Sequence, residues 1–381
     1  MLYITLGDQP SGVYEGQVID VCHFLNHNLK VKMRLVAFIS IRGYKRNRAK
    51  IKLDYPGAIV LPMFPKLKNW RLNSYMLALV CLITGERIAI CRNVLAANIA
   101  LFLKKTGLIR KVCYDGRGAI AAEWDEYKVV EEMGLKKEIA KYEKAAVLLS
   151  DFRIAVSSKL VSYWNEQYSY TLKAHGVIPC TLSSHFNLML NSENELAVLK
   201  TELGYNKKDI VLVYSGSTAG WQSFDLLKSF LLPILDSASY MKVLFLSKAD
   251  ENNLFLREHY PDQVGIKWVS PGEVNKHLAI ADYGILIREN TVTNNVASPT
   301  KFAEYLVSGL KVIISPYLGD YTQFVLENSS GLVATGNNSE DLKALAYSER
   351  VRLNELAKQY FLKKSPANLE QYKQLIQKMN S

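Results

Sequence analysis

Short apolar segments of strand length alternate with amphipathic segments of helical period along most of the chain. The apolar, β-branched-rich segments are Met33–Ser40, Ala58–Leu61, Arg87–Ile90, Lys111–Tyr114, Ile154–Ser157, Ile210–Tyr214, Lys242–Leu246, Ile266–Val269, Gly284–Ile287 and Val312–Ser315. The helical segments between them are Val13–Asn26, Asn73–Ile83, Leu95–Lys105, Glu131–Leu149, Phe224–Leu235, Glu251–His259, Glu273–Ala279, Lys301–Val307 and Asp341–Ala346. This alternation predicts parallel sheets covered by helices on both faces.

A polar stretch at Leu190–Lys208 interrupts the alternation, which then restarts. We therefore expect two doubly wound α/β domains, 1–185 and 186–362, with a linker near Val177–Cys180. The final helical patterns are Val351–Leu362 and Leu369–Met379, and we expect the C-terminal segment 363–381 to return to the N-terminal domain. Sheets of this type bind ligands at the carboxyl ends of their strands, so the two domains are expected to face a common cleft.

Composition places the chain among ordinary soluble enzymes. Hydrophobic residues make up 49% and charged residues 22% of the 381 residues, which is too apolar for a disordered chain. The five cysteines are scattered without a Cys-x-x-Cys pair, so we expect reduced thiols. The segment Met1–Leu6 is too short for a signal peptide. The longest apolar run, Tyr75–Ile83, is shorter than the roughly 20 residues that span a bilayer. We expect a cytoplasmic protein.

Positive charge is in excess and locally concentrated. The chain has 47 basic and 36 acidic residues, a formal charge of +11. Basic residues crowd Arg42–Lys52, and Lys66, Lys68 and Arg71 follow. A solvated basic loop and a surface for anionic phospholipids are both compatible with this pattern. Nucleic-acid binding is not expected, because the sequence has no nucleic-acid motif and no interleaved aromatic residues.

The most specific chemical signal lies between Ala281 and Gly309. There a predicted strand runs into a polar loop and then a helix that begins Ser298-Pro299-Thr300-Lys301. Ser298 suits the N-cap and Pro299 the first helical position, so the amides of Thr300 and Lys301 and the helix dipole favour a bound diphosphate. Glu304 shares a helical face with Lys301, where a carboxylate would accept both hydroxyls of a ribose. The alternative is a surface Lys–Glu pair on an ordinary capped helix.

This segment, with its Ser-Pro-x-Lys-x-x-Glu-Tyr pattern, resembles the donor site of retaining GT-B glycosyltransferases of glycosyltransferase family 4. The resemblance implies that Lys301 and Thr300 hold the diphosphate of a nucleotide sugar and that Glu304 holds the ribose. The family commonly has a second glutamate eight positions before Glu304, where this chain has Val296. Glu289 is the nearest acidic residue and the candidate to replace it.

Other candidate residues lie in loops that follow predicted strands. Small residues after Tyr214, among them Gly216 and Ser217, would let the backbone approach a phosphate. In the N-terminal half, Gly12 and Arg92 are candidates in acceptor or cleft loops. Asp115 and Arg117 in Tyr114-Asp115-Gly116-Arg117-Gly118 resemble an Asp-x-Arg-Gly motif found in part of the family. We take Asp115, Arg117 and Lys301 as catalytic candidates; for the first two, an internal ion pair is the alternative.

The chain contains no Asp-x-Asp, so we expect catalysis without a metal, with Lys301 and the helix N-terminus stabilising the departing diphosphate. His23 and His27 have the spacing of a metal pair but no acidic partner nearby. The resemblance implies transfer of a sugar, with retention, from a nucleotide diphosphate sugar to a glycan or lipid-linked acceptor in cell-surface polysaccharide biosynthesis. A contact with the inner face of the membrane is expected through the basic stretch and Tyr75–Ile83. A nucleotide-sugar epimerase of the same fold and a non-catalytic basic nucleotide- or nucleic-acid-binding module are the alternatives.

Overall fold

The structure is a computed structural model that describes residues 1–64, 67–128, 133–216, 223–334 and 341–381. The chain forms two compact units. Unit 1 comprises Met1–Ser184 and Lys363–Ser381, and unit 2 comprises His185–Leu362. Each unit is built on its own parallel sheet.

The sheet of unit 1 has seven parallel strands in the order β3-β2-β1-β4-β5-β6-β7. They are β1 (Leu2–Leu6), β2 (Arg34–Ile39), β3 (Ile59–Pro62), β4 (Ile88–Arg92), β5 (Lys111–Gly116), β6 (Phe152–Ala155) and β7 (His175–Val177). The chain moves outward from β1 to β3 and then returns to the centre at β4. Strands β1 and β4 therefore meet where the winding direction reverses, which is where open α/β sheets bind ligands.

The described residues of unit 1 form eight helices before the chain enters unit 2. They are α1 (Gly12–Tyr14), α2 (Asp20–Asn28), α3 (Tyr44–Asp54), α4 (Asn73–Thr84), α5 (Val94–Lys105), α6 (Ile120–Glu126), α7 (Met133–Leu149) and α8 (Ser158–Tyr168). A π-helical segment, Glu15–Ile19, joins α1 to α2, and a 3₁₀ segment, Leu67–Leu72, precedes α4.

Right-handed crossovers distribute these helices over the two faces of the sheet. Ile51 of α3 and Leu25 of α2 belong to the same buried cluster, so α2 and α3 cover one face. Helix α4 instead packs against α5, which packs against α7. Since the winding direction reverses between β3 and β4, α4 and α5 cover the opposite face.

Unit 2 has six parallel strands in the order β10-β9-β8-β11-β12-β13. They are β8 (Ile210–Ser215), β9 (Met241–Leu246), β10 (Val264–Lys267), β11 (Tyr283–Leu286), β12 (Lys311–Ile314) and β13 (Gly331–Val333). Its helices are α9 (Glu193–Glu202), α10 (Phe224–Ser237), α11 (Glu251–His259), α12 (Pro271–Ala279), α13 (Val292–Asn295), α14 (Thr300–Val307), α15 (Tyr321–Asn328) and α16 (Tyr347–Phe361).

The last helix, α17 (Pro366–Asn380), packs on the sheet of unit 1. Its Tyr372, Leu375 and Met379 are buried in the same cluster as α2 and α3, and the rings of Tyr372 and Phe24 lie 5.1 Å apart. Helix α16 stays in unit 2, where it packs against α14. The predicted fold class, two Rossmann-like doubly wound domains with a C-terminal return, is confirmed.

A buried ion pair fastens α16 to the sheet of unit 2. The Asp282 carboxylate accepts hydrogen bonds from the backbone N–H groups of Val211 (3.0 Å) and Leu345 (3.1 Å). Nη2 of Arg350 donates to the same carboxylate at 2.8 Å, and Nη1 donates to the Ala281 carbonyl at 2.7 Å. Both charged groups are buried and have lost their hydration. The opposite charge and the backbone hydrogen bonds compensate that loss.

One local prediction is wrong, and one of two open interpretations is excluded. Asp341–Ala346 is not a helix: the Leu345 amide is bound by Asp282, and the backbone of Lys343 is bound by the hydroxyl of Tyr283. The basic stretch Arg42–Lys52 is not a loop, because most of it forms α3, whose Asn47 and Ile51 are buried. The polar stretch Leu190–Lys208 also contains a helix that periodicity missed, α9.

Candidate functional site

The candidate site of unit 2 lies where the winding direction of its sheet reverses. Strands β8 and β11 are neighbours there, although the chain between them passes through β9 and β10. Gly216 follows the end of β8, and Arg288 lies two residues beyond the end of β11. Helix α14 follows β11 and begins at Thr300. The topology therefore brings residues that are distant in sequence together at the carboxyl ends of the two central strands.

The start of α14 differs by one residue from the prediction. Pro299 is the N-cap, with φ −67° and ψ 130°, and Thr300 is the first helical residue. Ser298 does not cap the helix, because its Oγ lies 2.7 Å from the Tyr321 hydroxyl in a buried hydrogen bond. A proline N-cap has no side-chain acceptor for the first amides of the helix, which leaves this end suited to an external anion.

Lys301 lies against the end of β8. Its Nζ is 4.7 Å from the centroid of the Tyr214 ring, and a Cβ placed on Gly216 would lie only 2.9 Å from that same Nζ. Gly216 also has a φ of +136°, a conformation that side chains disfavour. The glycine therefore makes room for the lysine beside the strand end.

Burial and neighbouring charges shift the pKa values of two groups at this site, Lys301 and Glu304. Burial and, to a smaller extent, the positive charge of Arg288 lower the pKa of Lys301 to about 7, although Glu304 opposes both effects. Burial likewise raises the pKa of Glu304 to about 7 against the opposing effect of Lys301. Arg288 also donates from Nη1 to Asn294 Oδ1 at 3.2 Å. Two cationic side chains that act on each other near a helix N-terminus favour a bound anion.

Tyr305 fixes α14 to the sheet. Its hydroxyl accepts a hydrogen bond from the Ser215 amide at 2.9 Å, and its ring packs so closely on Gly284 that an added Cβ would lie 2.2 Å from ring carbons. Sequence reasoning missed Tyr305 as a positioning residue and missed Arg288 altogether. A signal for Arg288 was present, since it is the first charged residue after the apolar run that forms β11.

Glu289, Val296 and Ser217 are the other positions that the sequence analysis considered for the donor site. The side chain of Glu289 is exposed, and its backbone N–H donates to Ser223 Oγ at 2.9 Å. Val296 is buried at the end of α13. The position where glycosyltransferase family 4 commonly has its first glutamate is therefore inside the protein in this chain. Ser217 lies outside the described residues. A role for Glu289 in contacting the sugar stays a prediction.

In unit 1, Asp115 and Arg117 form an internal ion pair. Arg117 Nε lies 2.8 Å from Asp115 Oδ1, and Nη2 donates to Oδ2 at 2.9 Å. The Tyr3 hydroxyl donates to Oδ2 at 2.5 Å. Asp115 has no exposed surface, whereas the Arg117 side chain is 14% exposed. The internal ion pair of the alternative interpretation is therefore present, and Arg117 is the member of the pair that has exposed surface.

Arg92 and Gly12 lie at the end of β4 and after β1, the two strands between which the winding direction of the unit 1 sheet reverses. Arg92 ends β4, and its Nε lies 3.8 Å from Oδ1 of Asp8, which follows β1. Burial raises the pKa of Asp8, and Arg92 opposes that shift. Gly12 begins α1, is exposed, and has no atom within 4 Å of an added Cβ. Packing therefore does not require glycine at position 12.

The two histidines that have metal-pair spacing stack on each other, with ring centroids 5.8 Å apart. His23 Nε2 lies 3.1 Å from the Asp54 carbonyl oxygen. Within the ranges that the structure describes, no three His, Cys, Asp or Glu side chains are grouped as a metal site would need.

No protein-family model and no curated protein sequence matches the chain. Solved structures match it over nearly their whole length. HepE of Anabaena, solved in complex with UDP, has a TM-score of 0.71 at 10% identity, covering 100% of this chain and 99% of that one. A glycosyltransferase from Rickettsia africae has a TM-score of 0.70 at 15% identity, covering 100% and 97%. The lipopolysaccharide outer core galactosyltransferase WaaB in its apo form has a TM-score of 0.67 at 14% identity, covering 99% of both chains. The chain therefore has the fold of the GT-B glycosyltransferases.

Proposed function

We propose that this protein is a glycosyltransferase that takes a sugar from a nucleoside diphosphate donor bound to unit 2. The observation that carries the proposal is Lys301 in the first turn of α14, a helix without a side-chain N-cap, with Arg288 near enough for its charge to act on the lysine. This site lies at the reversal point of the sheet, where the fold binds ligands. The UDP complex of HepE, a protein of similar fold, supports a nucleoside diphosphate as the ligand class.

Each group has a distinct role in holding the donor. Lys301, Arg288 and the N-terminus of α14, with Thr300 as its first residue, compensate the diphosphate charge. Glu304 is three residues after Lys301 on the same face of the helix, and we assign its carboxylate to the ribose hydroxyls, from which it would accept hydrogen bonds. Gly216 lets the diphosphate approach the backbone at the end of β8. Glu289 is the candidate for a sugar contact.

The chemistry is glycosyl transfer with retention. The acceptor oxygen forms a bond to the anomeric carbon on the face from which the diphosphate departs. The bond between that carbon and the phosphate oxygen breaks with its electron pair, and the departing phosphate oxygen takes the acceptor proton. Lys301 and the helix N-terminus stabilise the negative charge that develops on the diphosphate.

Unit 1 binds the acceptor in this proposal. Arg117 is the partly exposed member of its pair with Asp115, so the arginine would orient the acceptor hydroxyl and the aspartate would position the arginine. Arg92 and the exposed backbone at Gly12 provide further contacts. The fold shared with WaaB supports a glycan or lipid-linked acceptor of cell-surface polysaccharide biosynthesis. Such an acceptor would be met at the cytoplasmic face of the membrane.

Purified protein incubated with UDP-, GDP-, ADP- and dTDP-sugars tests the proposal. We expect slow hydrolysis of one donor class that releases the nucleoside diphosphate, and faster release when a suitable acceptor is added. Conversion of the donor to its epimer without an acceptor would instead identify an epimerase. Binding of a nucleoside diphosphate without turnover under any condition would indicate a non-catalytic binding module.

Turnover should persist after treatment with a chelator, because cationic side chains and a helix N-terminus take the place of a metal ion. Donor hydrolysis in EDTA, compared with hydrolysis in added magnesium or manganese, measures this. Loss of activity in EDTA that returns only with a divalent ion would show that a metal takes part.

Binding of the nucleoside diphosphate should weaken as the pH rises above about 7. In the free protein the pKa of Lys301 is lowered to about 7, and a bound diphosphate would raise it. Binding between these two pKa values takes up a proton, so affinity falls by up to about tenfold per pH unit. The terminal phosphate of the ligand is already ionised above about pH 7, so it does not account for the proton uptake.

Calorimetric titrations from about pH 7 to about 9, in buffers of different ionisation enthalpy, measure the affinity and the proton uptake together. Glu304 titrates near the same pH, so Glu304→Gln isolates the contribution of the lysine. The decrease in affinity with rising pH should persist in Glu304→Gln and disappear in Lys301→Met. If the affinity of Lys301→Met still decreased with pH, another group would take up the proton.

A further inference from the structure

Helix α4 of unit 1 presents an apolar face to solvent. None of its twelve residues is charged. Four large side chains at helical spacing are strongly exposed: Tyr75 72%, Leu79 57%, Leu82 67% and Ile83 75%. Neighbouring elements extend this surface with Leu72 40%, Phe102 54% and Leu149 54%. Contiguous exposure of this kind marks an interaction surface rather than ordinary scattered apolar residues.

The same surface contains a cavity of about 420 Å³ between the 3₁₀ segment and helices α4, α5 and α7. Aromatic and aliphatic side chains line it, among them Trp70, Tyr75, Phe102, Tyr142 and Leu149. Two cationic side chains, Arg71 and Lys105, also line it. Apolar side chains thus form the wall of this cavity and positive charge lies at its edge.

The cationic groups are placed for an anionic partner. The guanidinium of Arg71 lies 5.5 Å from the Trp70 ring centroid and 5.3 Å from that of Tyr142, beside the cavity. Its Nη2 donates to the Tyr142 hydroxyl and lies 4.0 Å from Oε2 of Glu138, but the Arg71 side chain is 64% exposed and can also contact a phosphate. Lys105 is exposed at the end of α5, and Lys68 lies in the 3₁₀ segment that precedes α4. Tyrosine and tryptophan beside apolar and basic residues are the composition of a membrane–water interface.

We propose that this surface, the exposed face of α4 with the cavity beside it, binds unit 1 to anionic bilayers. Leu79, Leu82 and Ile83 enter the acyl region, an acyl chain occupies the cavity, and Arg71, Lys105 and Lys68 contact lipid phosphates. The helix lies in the interface and does not cross it. Indeed, no helix within the described ranges has the length and apolar character of a membrane span. The inference goes beyond the proposed function and does not depend on it.

The structure separates this surface from the basic stretch that sequence analysis joined to it. Helix α3, which carries Lys45, Arg46 and Arg48, covers the sheet face shared with α2 and α17. Helix α4 covers the opposite face. One planar membrane therefore cannot receive both helices through their exposed sides, and the apolar helix is the one that can insert. Lys66 lies outside the described residues.

A second copy of the chain fits the surface less well than a bilayer. A twofold contact would bring each α4 surface against its own equivalent, and the cationic edges of Arg71 and Lys105 would then approach one another. The chain also carries a formal charge of +11, which opposes self-association. Phosphate headgroups compensate the same charges.

Co-sedimentation with vesicles tests the proposal without any nucleotide or acceptor. We expect the protein to bind vesicles that contain about one third phosphatidylglycerol and to bind phosphatidylcholine vesicles weakly. Binding should fall as salt rises from about 0.1 M to about 0.5 M. The double substitution Leu79→Gln and Leu82→Gln, on an exposed face and without added charge, should reduce recovery by at least about tenfold.

Two controls separate the alternatives. Leu326→Gln, at a leucine of unit 2 that is 62% exposed, should not change recovery. The triple substitution Lys45→Glu, Arg46→Glu and Arg48→Glu on α3 should change it much less than the α4 substitutions do. Loss of binding in the α3 variant with normal binding in the α4 variant would overturn the proposal, as would equal recovery with neutral and anionic vesicles.

Analytical ultracentrifugation without lipid identifies the remaining outcome. A dimer that dissociates when Leu79 and Leu82 are replaced, with vesicle binding unchanged, would make the surface a contact between copies and overturn the membrane assignment. Failure of the proposed donor site is distinguishable from all of these results. It would appear as normal vesicle binding by a protein that binds no nucleoside diphosphate.

Discussion

Replacing Lys301 by methionine should weaken nucleoside diphosphate binding by at least about tenfold, equivalent to about 1.4 kcal/mol. The unliganded protein should be as stable as before, or more stable. Methionine keeps the apolar stem beside the Tyr214 ring and removes a charge that burial and Arg288 both disfavour. Calorimetric titration with UDP, GDP and ADP measures binding, and differential scanning calorimetry of the free protein measures stability.

The two measurements together separate a ligand-binding lysine from a structural one. A structural lysine would lower the melting temperature when replaced, whereas Lys301 should lower only the affinity. Lys358→Met, at a surface lysine paired with Glu355, is the matched control and should leave both quantities unchanged. Gly216→Ala should weaken binding in the same direction, because its Cβ would meet Lys301 Nζ. Unchanged affinity in Lys301→Met would remove the lysine from the donor site.

Replacing Asp282 by alanine should reduce the free energy of unfolding of unit 2 by about 3–5 kcal/mol. The substitution leaves the Arg350 guanidinium buried without its carboxylate and removes the acceptor for the amides of Val211 and Leu345. Three segments of unit 2 lose a shared attachment: β8, the segment before α16, and α16 itself. Equilibrium denaturation of the wild-type and variant proteins, followed by circular dichroism, measures the loss.

Asp262→Ala is the control for that substitution, since Asp262 is an exposed residue between α11 and β10. Its effect should lie within about 0.5 kcal/mol of zero. A loss of less than about 1 kcal/mol in Asp282→Ala would mean that water or a rearranged side chain compensates Arg350.

Local sequence information is sufficient for features that depend on neighbouring residues. Alternation of apolar and helical segments predicted two parallel sheets, because hydrophobic periodicity reflects which faces of an element are buried. The spacing of Lys301 and Glu304 put them on one face of one helix, since residues three apart are neighbours in any α-helix. Their place after the apolar run that forms β11 also put them near the carboxyl end of a strand.

Predictions that required a partner distant in sequence were less successful. Ser298 has a residue type that suits an N-cap, but its hydroxyl bonds to Tyr321, 23 residues away. The segment Asp341–Ala346 has helical periodicity, but Asp282 and Tyr283 bind its backbone. In each case a tertiary hydrogen bond outweighed a local preference, because helix propensities amount to less than about 1 kcal/mol per residue.

The residue pattern is sufficient to identify the class of fold and the helix that carries Lys301 and Glu304. Which side chains contact that helix depends on strand pairing across the domain. Strand order made β8 and β11 neighbours, and this brought Gly216 and Tyr214 to Lys301 from about 85 residues earlier in the chain. Crossover handedness likewise placed the basic helix α3 and the apolar helix α4 on opposite faces of one sheet. Such groupings follow from how strands pair across the whole domain, and no local pattern of residues encodes that pairing.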